Sequence, residues 1–182
     1  IKLYGKLMGK RRTKPKEYLF VDGYNIINSW GKLKELSKLN LEVAREELIE
    51  IMSEYQTYSG IKIIIVFDAH LVKGNSGTMG KVKGVEIVYT KENETADQYI
   101  EKVLDEIGRI ERVRVATSDW MEQQIILGRG GTRISARELE MEILDQKRTI
   151  NRKNKKESLK GEILMGRLDE ETLKKLDNWK EN

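Results

Sequence analysis

Residues 61–67 read Ile-Lys-Ile-Ile-Ile-Val-Phe, and Asp68 follows at once. Positions 63–66 are unbroken apolar and β-branched, with no solvent-facing alternation. Such a strand is buried on both faces, as in a parallel sheet covered by helices. Its flanks fit that reading. Over residues 41–58, Leu41, Ala44, Leu48, Ile51, Met52 and Tyr55 recur at helical spacing, with Asn40 as N-cap and Gly60 as stop. Residues 17–21 (EYLFV) form a short buried strand that ends in an Asp22-Gly23 turn. Downstream, residues 70–84 are rich in Gly, Asn and Ser and read as a long exposed loop. A strand at 85–89, an amphipathic helix at 95–107 and an alternating strand at 112–116 come next. A short helix at 119–127, the Gly-rich loop 128–131 and a fifth short strand at Ile134 follow. Ser135 and Glu138 form a capping-box pattern opening a helix that runs to about Ile150. A last helix is expected at 169–179, and no internal repeat is found. The alternation predicts an α/β fold: a three-layer α/β/α sandwich with a mainly parallel central sheet.

Composition narrows the chemistry. The chain has 182 residues, 38% of them hydrophobic and 35% charged, which suits one globular domain with short extensions. No apolar stretch approaches the roughly 20 residues that span a bilayer, and no secretory leader pattern follows the basic N-terminus. Met8 could mark a natural start that leaves residues 1–7 outside the native chain; the sequence leaves both choices open. Cys is absent and His70 is the single histidine, which excludes thiol nucleophiles, iron–sulfur clusters and Cys/His zinc sites. The net charge of +4 is unevenly spread. Residues 1–16 carry seven basic residues and no acid, a flexible basic arm. Residues 17–146 hold sixteen basic and twenty-three acidic residues, and 147–182 hold eleven and seven. Basic ends around an acidic centre suit a protein whose extensions meet a polyanion while its core holds a cation. The expected organisation is an arm at 1–16, a domain at 17–150 and a charged, partly helical extension at 151–182.

Four aspartates occupy equivalent places. Asp22 follows the first strand and Asp68 the strand 61–67. Asp119 follows the strand 112–116, after Thr117 and Ser118. Asp97 lies in the first turn of the helix after the third strand. In a parallel sheet these ends share one edge, where ligands bind. Converging carboxylates repel unless a cation neutralises them. Oxygen-only ligands favour Mg²⁺ or Mn²⁺, and the natural chemistry is metal-assisted phosphodiester hydrolysis. Asp after a strand is also a common turn residue and helix cap, so each one taken singly has a structural reading as well.

The local motifs resemble a known family. Asp22-Gly23-Tyr24-Asn25 resembles the opening motif of the NYN-domain ribonucleases, relatives of the PIN-domain nucleases. Val66-Phe67-Asp68-Ala69-His70, Glu94-Thr95-Ala96-Asp97, Thr117-Ser118-Asp119 and Ser135-Ala136-Arg137-Glu138-Leu139 resemble further motifs of its YacP-like branch, in family order across 17–146. The resemblance implies a PIN-like fold and a Mg²⁺- or Mn²⁺-dependent endoribonuclease, cytoplasmic and acting on mRNA at the ribosome. It implies that Asp22, Asp97 and Asp119 are catalytic and hold the metal. Asn25 and Ser118 support that site. Asp68 either joins them or organises its loop. Glu94, one helical turn before Asp97, either faces the site or serves the helix N-terminus.

Basic and aromatic residues near these motifs are candidate RNA contacts: Tyr24, Arg45, Arg129, Arg133 and Arg137, with Trp30 and Trp120 able to stack on bases. Each also has an ordinary reading as core residue or surface ion pair. His70, alone and just past a strand, reads first as a structural or exposed residue, with RNA contact or proton transfer as the alternatives. The basic cluster Arg148, Arg152, Lys153, Lys155 and Lys156 suits an RNA backbone. Two other functions compete. A non-catalytic RNA- or ribosome-binding module on the same fold would not need the acidic set. A phosphotransfer enzyme would want Asp-x-Asp, but Tyr24 stands two residues after Asp22. Oligomeric state, RNA target and number of metal ions are not encoded in any motif.

Overall fold

The computed structural model describes residues 15–69, 77–118 and 122–165. Twelve elements alternate along them: β1 (Glu17–Asp22), α1 (Gly23–Ser29), α2 (Gly31–Leu39), α3 (Leu41–Ser59), β2 (Lys62–Phe67), β3 (Met79–Val82), β4 (Val85–Tyr89), α4 (Ala96–Ile107), β5 (Arg112–Ala116), α5 (Glu122–Gly128), β6 (Thr132–Ile134) and α6 (Ala136–Met165). The six strands form one sheet in the order β3-β4-β2-β1-β5-β6. Every pairing is parallel except β3 with β4.

The central strands β1 and β2 are buried along five of their six residues each, as the unbroken apolar runs require. On one face Tyr18, Phe20, Ile64, Val66, Val113 and Val115 pack with Ile100, Leu104 and Ile107 of α4 and Ile126 of α5. The alternate residues Leu19, Val21, Ile63 and Ile65 point to the other face, which α1 and α3 cover. The three layers anticipated from the alternation are therefore present. The chain divides into two compact units, which meet in sequence at Met141 and Glu142.

Capping chemistry fixes the helix starts. Asn40 Oδ1 accepts from the Glu42 and Val43 amides at 2.8 and 3.4 Å, and α3 ends on Gly60 at φ 70°. Thr95 and Gln98 cap α4 reciprocally, and Ser135 and Glu138 do the same for α6.

Several segments differ from expectation. The Asp22-Gly23 turn is a direct passage from strand to helix, with Asp22 as the N-cap of α1. Residues 23–39 hold two short helices that no apolar periodicity marked. Part of the expected loop 70–84 is β3, an edge strand with all four residues exposed. It turns into β4 through Lys83 and Gly84, at φ 48° and 92°, the conformation of a tight hairpin. The helix expected to stop near Ile150 continues to Met165. The expected arm over 1–14 and the helix at 169–179 lie outside the described residues.

Candidate active site

The five parallel strands end at a common edge, here the carboxyl edge. The chain leaves β1 for β2 on one side and returns to place β5 on the other. The strand order therefore switches between β1 and β5, which opens a crevice at that edge. Asp22, the last residue of β1, sits at this crevice and is 9% exposed. Its Oδ1 accepts from the Asn25 amide at 3.1 Å and so caps α1. Gly23 makes the abrupt strand-to-helix passage possible: a Cβ there would lie 2.3 Å from Phe67 Cε1. Phe67 stands edge-on to Tyr24 at 5.2 Å and stacks on Tyr89 at 5.7 Å.

Three carboxylates are electrically coupled here. Burial pushes the Asp22 carboxyl up to about 7, and the charges of Asp97 and Asp68 push the same way against the Asn25 and Tyr24 amides. Among the described residues, no Lys or Arg helps to set the Asp22 charge state. Asp97, one residue into α4, has a solvent-shielded Oδ1 and lines a small cleft with Ile100, Glu101, Val115, Ile125 and Ile126. Asp68 has a second task. Its Oδ1 accepts from the Ala96 amide at 2.6 Å, across 28 residues of sequence, and ties the end of β2 to the start of α4. That bond sets where Asp97 stands.

Asn25 does comparable work on the other side of the crevice. Its Oδ1 accepts from the Ser118 amide at 2.8 Å. Ser29, one turn further along α1, donates to the Asn25 carbonyl at 2.7 Å and meets Ser118 Oγ at 3.0 Å. The end of β5 is thus clamped to α1, two residues after the strand closes. Ser29 and Thr90 escaped the sequence reading. Thr90 Oγ1 accepts from the Ala69 amide at 3.0 Å and braces the end of β2 beside Asp68. The available signals were the i, i+4 spacing from Asn25 to Ser29 and the place of Thr90 just past β4.

The remaining candidates separate by position. Asp119, Trp120 and His70 lie outside the described residues. Glu94 is taken up locally: burial would raise its carboxyl, but Lys102 at 2.5 Å and the Lys91 amide at 3.2 Å lower it overall. Tyr24 is 6% exposed and its hydroxyl accepts from Arg45 at 3.1 Å, so these two candidates bind each other. Trp30 is buried and donates to the Ala136 carbonyl at 2.8 Å. The loop 128–131 does not lie beside the crevice. It follows α5 and precedes β6, which places it at the opposite, amino edge. It packs there against the end of α4, where a Cβ on Gly108 would lie 2.4 Å from the Arg129 carbonyl. Arg129 itself reaches back to Glu101 at 3.3 Å and to Asp105. Arg133 lies in β6 beside Val115, and its Nε is buried with no hydrogen-bond partner among the described residues. Arg137 is exposed in the first turn of α6, at the carboxyl edge.

The donor chemistry fits a hard divalent cation. The oxygens are carboxylate oxygens, and burial together with the neighbouring charges of Asp97 and Asp68 makes the ionised Asp22 costly. Among the described residues no three carboxylates form a ready-made cage. Few protein oxygens with water and substrate phosphate completing the shell is the ordinary arrangement for Mg²⁺. Asp22 and Asp97 are the described residues that could hold such an ion.

Fold and crevice together define an α/β domain with an acidic mouth at its topological switch point. The chain belongs to the YacP-like NYN domain family, whose model matches residues 19–181. It is 45% identical over 168 residues to a Bacillus subtilis (strain 168) protein named "Uncharacterized protein YacP", covering 90% of this chain and 96% of the relative. The crystal structure of Rae1 (YacP) from Bacillus subtilis matches with a TM-score of 0.66 and 44% identity, over 91% of this chain and 95% of that one. A mutant of the same protein matches at the same TM-score over 78% and 83%. Family membership makes the function nuclease-type and RNA-related. No helix among the described residues is long and apolar enough to cross a membrane.

Proposed function

We propose that this chain is a divalent-metal-dependent endoribonuclease that cuts single-stranded RNA, with mRNA on the ribosome as its setting and the cytoplasm as its compartment. The carrying observation is the Asp22 carboxyl, pushed to about 7 by burial and by Asp97 and Asp68, with no cation among the described residues to offset them. A fold gains no stability from such a cluster, so its use lies in binding something positive. Asp22 and Asp97, with Asp119 as the third ligand, would hold Mg²⁺ or Mn²⁺. When bound, the ion supplies charge neutralisation at the scissile phosphate and an activated water. Asp68 holds the start of α4, and thereby Asp97, in register. Asn25 holds Ser118 and the end of β5 against α1. Arg137, exposed at the same edge, is available to a substrate phosphate.

The test is cleavage of a labelled single-stranded RNA by wild type and Asp97→Asn, with Mn²⁺ or EDTA, alone and with ribosomes translating an mRNA. Cleavage that requires both Mn²⁺ and Asp97 supports the reading, and the comparison between settings decides the role of the ribosome. RNA binding without cleavage in every setting would transfer the chain to a non-catalytic binding role.

A further inference from the structure

Residues 147–156 read Lys-Arg-Thr-Ile-Asn-Arg-Lys-Asn-Lys-Lys, six basic residues in ten and no acid. They form continuous helix inside α6, and Arg148, Arg152, Lys153 and Lys155 are all exposed. At 3.6 residues per turn, positions 148, 152 and 155 fall on one stripe along the helix. This arrangement works against the helix itself. Arg148–Arg152 and Arg152–Lys155 are like-charge neighbours at i, i+4 and i, i+3, a spacing that destabilises an isolated helix. Arg148 has Asp145 at 3.2 Å, a pair about 70% exposed on both sides. Arg152 and Lys155 have no carboxylate partner among the described residues. A stripe of exposed cations with no carboxylate beside two of its three members is the electrostatic footprint that a polyanion fits.

We propose that the Arg148–Arg152–Lys155 stripe is a docking surface for double-helical RNA, read through its phosphate backbone. The inference rests on the reading that the chain acts on RNA, and it adds a structured RNA element as an anchor apart from the strand that is cut. Charge complementarity selects a polyanion. The absence of aromatic residues throughout α6 selects a duplex over a single strand. Single-strand surfaces pair cations with aromatic platforms for unstacked bases, whereas duplex RNA is recognised by shape and backbone. Fixed cations on a rigid rod suit the second mode. Binding neutralises the like-charge neighbours, so α6 becomes more helical when the RNA is present.

The experiment is fluorescence anisotropy in EDTA, where no metal-dependent cleavage occurs, with a labelled RNA hairpin and a single strand of equal length, across a salt series. Wild type is compared with an Arg148→Gln/Arg152→Gln/Lys155→Gln variant. A second variant, Lys32→Gln/Lys38→Gln/Arg112→Gln, removes the same charge elsewhere. Gln is a good helix former, and the thermal unfolding midpoint checks that each variant is folded. The expected result is hairpin binding tighter than single-strand binding in wild type. The first variant should lose about tenfold in hairpin affinity and about 2 to 3 units of salt slope, and the second should lose neither. The conservative variant Arg148→Lys/Arg152→Lys should restore most of the binding. Equal losses in both charge variants, an unchanged first variant, or a preference for the single strand would each overturn the proposal. Absent cleavage by wild type in Mn²⁺ would instead remove the nuclease reading and leave this binding result standing.

Discussion

At the amino edge of the sheet, charges are matched. Arg129 reaches Glu101 and Asp105, and Arg112 pairs with Glu17 at 3.0 Å. At the carboxyl edge, burial and the charges of Asp97 and Asp68 push the Asp22 carboxyl up, and among the described residues no basic side chain offsets them at Asp22. The two edges draw on the same residue types. One is arranged as folding alone would arrange it. The other keeps like charges together in partial burial, which lowers stability and is the arrangement expected of the proposed cation site. Glycine divides the same way: Gly108 lets the loop 128–131 pack onto α4, while Gly23 lets β1 pass directly into the helix that Asp22 caps.

The largest effect expected from disturbing this contrast is on cleavage. Asp22→Asn or Asp97→Asn should lower the metal-dependent cleavage rate by about 100-fold or more, measured by single-turnover RNA cleavage at saturating enzyme. The fold should survive, because Asn still accepts the hydrogen bond that caps α1.

The next effect is on stability, and its sign depends on pH. Asp22 titrates near 7 when folded and near 3.8 when unfolded. Its neutral form favours the folded state, so the contribution is fully present below pH 4 and is lost as pH rises through 7. Asp22→Asn in EDTA should therefore gain on wild type between pH 5 and pH 8, by at most about 3 kcal/mol. Denaturant unfolding at the two pH values reads the difference, and parallel curves for the two proteins would contradict the coupling.

Packing comes third. Gly23→Ala drives a methyl group into Phe67 and should cost about 1–3 kcal/mol by the same unfolding assay. The smallest effect belongs to the balanced edge. Arg129→Gln breaks half-exposed ion pairs and should cost under about 1 kcal/mol, with cleavage unchanged. A large loss of cleavage in this variant would place Arg129 on the substrate after all.

The legible parts of the fold are those where burial and local chemistry agree. β2 is unmistakable because four adjacent β-branched residues have no other use, and α3 is bracketed by Asn40 and Gly60. β3 was hidden because all four of its residues are exposed and its pairing comes from β4, not from its own pattern. The helices over 23–39 are too short for an apolar period to register. α6 continues past Ile150 where the apolar pattern stops, through residues whose charges oppose it. Within the crevice, Asp22 and Asp97 could be named because strand ends and helix starts are readable positions. The bond from Asp68 to the Ala96 amide could not, because it joins residues 28 apart that only the sheet order brings together. The place of Arg129 was hidden for a related reason: in a parallel sheet a loop that follows a helix and precedes a strand falls at the edge away from the site, which only the strand directions reveal.

The most direct measurement of the central claim is the thermal unfolding midpoint at pH 8 as Mn²⁺ is added to metal-free protein, for wild type and Asp22→Asn. If the carboxyl edge is built for a cation, the wild-type midpoint rises with Mn²⁺ in a saturable way and the Asp22→Asn midpoint rises far less. A wild-type midpoint that stays flat up to millimolar Mn²⁺, or equal rises in both proteins, would contradict it.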